Sequence, residues 1–438
     1  MSDDELLKGE LFMLFEHLKD AITWRQSLHR CPQPAWLEFY ATAFVAEKLA
    51  SWGYKLSLGR DIIKEGEQLL LPAPEILQAE FDRAAAAGAK LEFLEPARGG
   101  FTGVVATLQG ALPGPTVAFR FDIDSNEVTE SNDSSHRPAS AGFRSANPGF
   151  AHMCGHDVHA ATGLLLAQYF AANRTQIKGT VKFIFQPNEE NLSGAAAMVA
   201  AGVVDDVDVL LGGHVGLALK KLGQICFNVR GFMALSRYEV TFTGRPTHAA
   251  LRPDEGKNAM LGACAAVTNL YAIARHGLGA SRINVGTLSA GTTWNVIPDR
   301  ACFRMETRGV TNEINRYMSD KAMEVIRGAA AMYDLGVDIK TAAIALSATN
   351  SSELVEQATN LARTLPGVTE VVPEADFGAS EDVTLMIERV QARGGKAMFV
   401  LFGTPTAGGH HNAAFDVDEN VMSNAAEFMV KMYEAVTA

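Results

Sequence analysis

Val117-Ala118-Phe119-Arg120-Phe121-Asp122-Ile123-Asp124 is a mostly apolar run that ends in two aspartates. A strand buried on both faces reads this way, and it delivers its terminal carboxylates to the C-terminal edge of a sheet. Gly99-Gly100-Phe101-Thr102-Gly103 opens the strand before it, Val104 to Leu108, and Pro113-Gly114-Pro115 marks the turn between the two. On the other side, Ser125 to Phe150 is a long polar loop, a length usually tied to function. The apolar strands recur downstream. Gly179 to Phe185 runs into Gln186-Pro187-Asn188-Glu189-Glu190-Asn191, and Val207 to Leu211 into Gly212-Gly213-His214. Three strands in succession that end on polar candidates predict an α/β sheet with a site along one edge.

The loop ends in His152-Met153-Cys154-Gly155-His156-Asp157-Val158-His159, which holds three of the chain's eleven histidines and a cysteine. Cys154 and His156 are two apart around a permissive glycine, so one turn can aim both at one cation. Thiolate and imidazole favour zinc, manganese, cobalt or nickel over calcium or magnesium. A helix over Ala160 to Ala172 places the pair near its N-terminus, whose dipole favours a thiolate. In Glu189-Glu190, an extended backbone would turn the neighbouring side chains to opposite sides, one to a metal and one to a substrate as base. His214 by itself reads as an ordinary loop histidine. His410-His411, beside Gly408-Gly409, offers a paired ligand candidate. His29 closes a helix ahead of Pro32 and reads as a charged helix end.

The pattern changes near Phe232. Tyr238 to Thr243 alternates like an antiparallel strand with one wet face. With the helix 258–276, strands 282–288 and 303–308, the helix 314–333 and the strand 336–345, the order is βαββαβ. That predicts a ferredoxin-like α+β insertion at 232–346, about 115 residues long. The first domain is then discontinuous, 1–231 and 347–438. Leu11, Leu14, Phe15, Leu18 and Ile22 recur at helical spacing at the N-terminal end.

At 438 residues, two domains are expected. A net charge of −12 without a basic run argues against nucleic acid or an anionic membrane as partner. The acidic N-terminus reads as no secretory signal, and no apolar run is long enough to span a membrane. Five scattered cysteines fit a reducing cytoplasm.

Taken together, Cys154-Gly155-His156-Asp157, Glu189-Glu190, His214 and His411 resemble the M20 metallopeptidase family, in its branch with Cys-Gly-His-Asp as the first metal motif. The resemblance runs from Leu28-His29 to Phe415-Asp416-Val417-Asp418-Glu419. The runs 55–60, 99–107, 281–286 and 305–309 are similar to those of members that hydrolyse p-aminobenzoyl-glutamate. It implies a zinc-peptidase-like α/β catalytic domain, of phosphorylase/hydrolase type, with the insertion as lid and dimerisation domain. It implies Cys154, His156, Glu190, His214 and His411 as ligands of one or two divalent ions, Mn2+ or Zn2+, with His410 the alternative to His411. Glu189 would be the general base, and His248 would stabilise the oxyanion in a partner subunit's site. Asn295 and Arg308 would bind substrate, or serve as structural residues at strand ends. The implied reaction is hydrolysis of an amide C–N bond in an N-acyl, aminobenzoyl-type amino acid, by a homodimer, a higher homo-oligomer or a pair with a related second subunit.

Two departures bear on the substrate. The family's Pro-Ala-Glu-Glu-Gly is Pro187-Asn188-Glu189-Glu190-Asn191 here, and its Asp-Ala-Leu is Asp124-Ser125-Asn126. They leave room for hydrolytic deamination of an aromatic amine at the same site. A catalytically silent binding subunit is a third reading, and the intact base and ligand set speaks against it.

Overall fold

A computed structural model describes residues 3–438, with side chains from residue 17 onward. Leu11, Leu14 and Phe15 therefore lie outside the described side chains, although their backbone belongs to a helix over Asp3–Arg30. The chain forms two compact units. The first comprises the chain up to Arg230 together with Ala348–Phe377 and Leu385–Ala438; the second is Gly231–Ser347 with Gly378–Thr384. The short segment 378–384 thus packs with the second unit although its flanks belong to the first.

The first unit is built on an eight-stranded sheet. Its spatial order is 55–58, 104–109, 178–186, 112–122, 209–215, 396–402, 224–226 and 370–371. Strands 178–186, 112–122, 209–215 and 396–402 run parallel. Their near-continuous apolar character follows from burial on both faces. Phe119, Phe121, Phe183 and Phe185 stack between them, and Phe119 and Phe183 have ring centroids 5.5 Å apart. The helix His156–Ala172 is apolar almost all round because it is buried all round, down to Val158, Leu164 and Leu166 at 0% exposure. Its core includes Trp24 and Leu28 of the first helix and Phe428 and Met432 of the last, Val421–Val436. Register sets the site. Asp122 pairs with Gln186 and Val215 with Phe402, so four parallel strands end level at one edge.

The second unit has strands Ala234–Thr243, Ser281–Ala290, Arg300–Gly309 and Gly336–Ala345 and helices Ala259–Tyr271 and Asn312–Met332. The order along the chain is βαββαβ. The sheet is antiparallel, with the fourth strand beside the first, then the third and the second. This is the ferredoxin-like arrangement. Phe242, Phe303, Met318 and Ile326 fill its separate core.

Candidate metal centre

Gly155 decides the local path. It caps the helix 156–172 at φ +95°, and a Cβ there would stand 2.8 Å from the Val215 side chain. The turn puts Cys154 and His156 on the sheet edge. His156 is 1% exposed and fixed by its Nδ1, which donates to Asp124 Oδ1 at 3.0 Å and to the Asp124 carbonyl at 3.1 Å. In the neutral ring Nε2 would then carry the lone pair, and this buried nitrogen has no hydrogen-bond partner. Oxygens of Asp122, Glu189 and Glu190 each lie 3.8 Å from it. His214 is arranged alike. Its Nδ1 donates to the Val215 carbonyl at 2.8 Å and its Nε2 faces Cys154 Sγ at 3.5 Å.

Six of the predicted residues converge. Donor atoms lie within 4.8 Å of one another in Cys154, His156 and His214, again in Cys154, Glu190 and His411, and again in His156, Glu189 and Glu190. The three groups share members and form one continuous donor set of nitrogen, sulfur and carboxylate oxygen. Such a set fits a divalent transition ion and not a hard cation. The orphaned His156 Nε2 and Glu190 Oε1 are the polar atoms that a cation would satisfy.

The charges agree. Burial, with His159 and His410 nearby, holds His214 well below the ordinary histidine range, so its ring is neutral, the form that ligation needs. Burial works against an ionised Glu190, yet His411 and His156 draw its carboxyl down to about 2. His411 is raised to about 10 by its hydrogen bonds to Cys154 and Glu190. Burial pushes the Cys154 thiol up. The helix terminus does not by itself yield the expected thiolate, because desolvation outweighs it; a cation in the donor set would reverse the balance.

Three further expectations are corrected. Glu189 and Glu190 do not diverge from an extended backbone. Asn188 and Leu192 take positive φ, +51° and +57°, and the Leu192 amide donates to the Glu189 carbonyl at 2.6 Å, so a tight turn brings both carboxylates to His156. His214 is the penultimate residue of the strand Val209–Val215 instead of a loop residue. His29 is not a charged helix end in water. It is fully buried between Asp157 Oδ2 at 2.9 Å and Glu130 Oε1 at 3.0 Å.

His410 and His411 separate cleanly. Backbone at φ +62° turns His411 towards Glu190, with Nε2 3.3 Å from Oε2. His410 instead donates to the Val215 carbonyl at 3.2 Å and packs on Phe415. Burial lowers it to about 4. In the second unit, His248 and Asn295 are exposed neighbours, joined where the Ala249 amide donates to the Asn295 carbonyl at 3.0 Å. Arg308 lies apart on its strand and pairs with Glu306 at 2.8 Å.

Residue pattern placed Asp122 and Asp124 at the sheet edge without assigning them a task, and it gave His159 no role. His159 Nδ1 donates to Asp122 Oδ1 at 2.5 Å while its Nε2 accepts from the Val215 amide at 3.1 Å, and Arg120 holds Asp122 Oδ2 at 2.8 Å. The available signal was the three-residue step from His156 to His159, which puts both on one helix face. Such groups orient ligands and tune their basicity.

The sequence pattern of peptidase family M20/M25/M40 matches residues 118–435, which include every one of these donors. The chain belongs to that family. It is 44% identical to the indole-3-acetyl-aspartic acid hydrolase of Enterobacter agglomerans, over 94% of each chain. It is 42% identical to one of the subunits of p-aminobenzoyl-glutamate hydrolase from Escherichia coli (strain K12), over 93% of this chain and 94% of that one. Among solved structures, the aminobenzoyl-glutamate utilization protein of Klebsiella pneumoniae superimposes with a TM-score of 0.83 at 37% identity, covering 99% of this chain and 98% of that one. This M20 protein is a metal-dependent amidohydrolase.

Proposed function

We propose that this M20 amidohydrolase cleaves the amide of an N-acyl amino acid whose acyl group is aromatic, of the aminobenzoyl-glutamate or indoleacetyl-aspartate kind. The observation that carries the metal-site reading is His156 Nε2: buried, without a hydrogen bond, and ringed by carboxylates. The substrate class comes from the relatives' names, at 42–44% identity over nearly the whole chain.

Cys154, His156, Glu190, His214 and His411 would hold one or two divalent ions, manganese or zinc. When bound, the ion supplies Lewis acidity and makes a nearby water acidic near neutral pH. Glu189 takes the proton from the attacking water and returns it to the leaving nitrogen. Asp124 and the Val215 carbonyl keep His156 and His214 in the tautomers that leave Nε2 unprotonated. His248 donates to the oxyanion in a partner subunit's site, and Asn295 and Arg308 bind substrate from the second unit, the proposed lid and dimerisation domain. The assembly is a homodimer or larger homo-oligomer, or a pair with a related chain; the Escherichia coli relative, named as one part of a multi-chain hydrolase, supports the last. The five unpaired cysteines suit a cytoplasmic setting, and no described helix is long and apolar enough to cross a membrane.

Incubating the manganese- or zinc-loaded protein with p-aminobenzoyl-glutamate and indoleacetyl-aspartate tests the reading. Equimolar free glutamate or aspartate is expected. Release of ammonia alone would point to hydrolysis of an aromatic amine and overturn the amide assignment.

A further inference from the structure

Asn126 stands where two of the proposed ligand-bearing segments meet. It is 8% exposed. Its backbone exchanges both hydrogen bonds with Ala151, at 2.9 and 3.0 Å, so it is locked to the strand of chain that leads into Cys154. Its side-chain oxygen accepts from the Met153 amide at 2.9 Å. An amide whose oxygen is so used has only N–H groups left to offer, and these donate to the Glu190 carboxylate. Two residues earlier, Asp124 holds the same turn, taking the Glu190 amide on Oδ2 at 2.9 Å and His156 Nδ1 on Oδ1 at 3.0 Å. Asp124 thus fixes the Glu190 backbone, and Asn126 ties the Glu190 side chain to the backbone next to Cys154.

We propose that Asn126 is a positioning residue that sets the distance between Cys154 and Glu190, and thereby the affinity of the cation they share with His411. The physical reason is preorganisation. Glu190 has several rotamers, and a carboxylate left to choose among them loses order when it ligates, whereas one held by a donor does not. The donor also offsets burial of the negative charge before the cation arrives.

This inference rests on Cys154 and Glu190 being ligands, and one experiment separates the two claims. The protein, stripped with a chelator, is titrated with Co2+ alone, following both the affinity and the thiolate-to-cobalt charge-transfer absorption. Wild type, Cys154→Ser, Asn126→Leu and Asn126→Asp are compared. Wild type is expected to show the absorption and Cys154→Ser to lack it; a wild type without it overturns the ligand reading itself. Asn126→Leu removes both hydrogen bonds and is expected to weaken Co2+ binding roughly 10–100-fold, the usual range for outer-shell partners, with the absorption retained at saturation. Asn126→Asp is nearly isosteric and keeps the acceptor for the Met153 amide while replacing the donor with a like charge. It too should bind Co2+ at least about 10-fold more weakly. Wild-type affinity in Asn126→Asp, with melting of the metal-free protein unchanged, overturns the proposal.

Discussion

His156 and His29 invite comparison. Both are buried histidines of the first unit surrounded by carboxylates, and they are joined through adjacent residues, because Asp157 binds His29. Yet they do different work. Both nitrogens of His29 are consumed, by Asp157 and Glu130. Burial alone would lower its pKa, but the two carboxylates hold it above the ordinary value, as a cation. Arg25 adds a second cation, bonded to Asp157 at 2.7 Å, Asp416 at 2.9 Å and Glu419 at 3.1 Å, and Arg137 bridges Asp416 and Glu419 from the other side. Every side-chain nitrogen of His29, Arg25 and Arg137 here faces a carboxylate. Around His156 one nitrogen is consumed and the other left without a partner. Composition does not separate His29 from His156; the partnerless Nε2 of His156, with three carboxylates 3.8 Å away, does.

The sharpest way to break the comparison is on the His156 side. Glu189→Gln keeps the shape and removes the base, so kcat should fall roughly 10^2–10^4-fold while metal content is unchanged. Full activity in that variant would end the base assignment. His156→Ala should instead lose metal, measured by elemental analysis of the purified protein.

The His29 side should respond through stability instead. Arg25→Met leaves Asp157, Asp416 and Glu419 without their central cation, and breaking such a buried set typically costs about 3–5 kcal/mol. Denaturant unfolding of the metal-free protein measures this. A variant as stable as wild type would mean that the cluster is not what holds the first helix to the last.

A smaller effect sharpens the role of His29. Its folded pKa is raised, so above the unfolded value the native state binds more protons, and stability falls as pH rises. The stability advantage of wild type over His29→Gln should therefore be full below about pH 6.5 and shrink as pH climbs through the raised folded value. An advantage that grows with pH would show that His29 is neutral in the fold. The smallest effect belongs to the surface. Lys321→Ala breaks an exposed pair with Glu324, and its melting temperature should match that of wild type.

Much of this was legible in the residues. Strands that are apolar throughout and end in Asp122-Ile123-Asp124 or Gly213-His214 announce a parallel sheet with a working edge, since such strands are covered on both faces. The alternation at Tyr238 to Thr243 announces a different sheet with one wet side. The Glu189-Glu190 geometry was not legible, because the pair's direction depends on positive φ at Asn188 and Leu192, residues for which that conformation is uncommon. Nor was the burial of His29, whose partners lie 101 and 128 positions away.

Residue type and spacing alone thus determined the two kinds of sheet and the pool of atoms able to bind a cation, because periodicity and donor chemistry are local properties; the family followed from the resemblance of its motifs. Tertiary structure decided which donors meet, which of His410 and His411 turns towards Glu190, and which of His29 and His156 keeps a nitrogen to spare. Those outcomes depend on partners brought together from distant parts of the chain and on an uncommon backbone conformation at His411, and no local pattern encodes either.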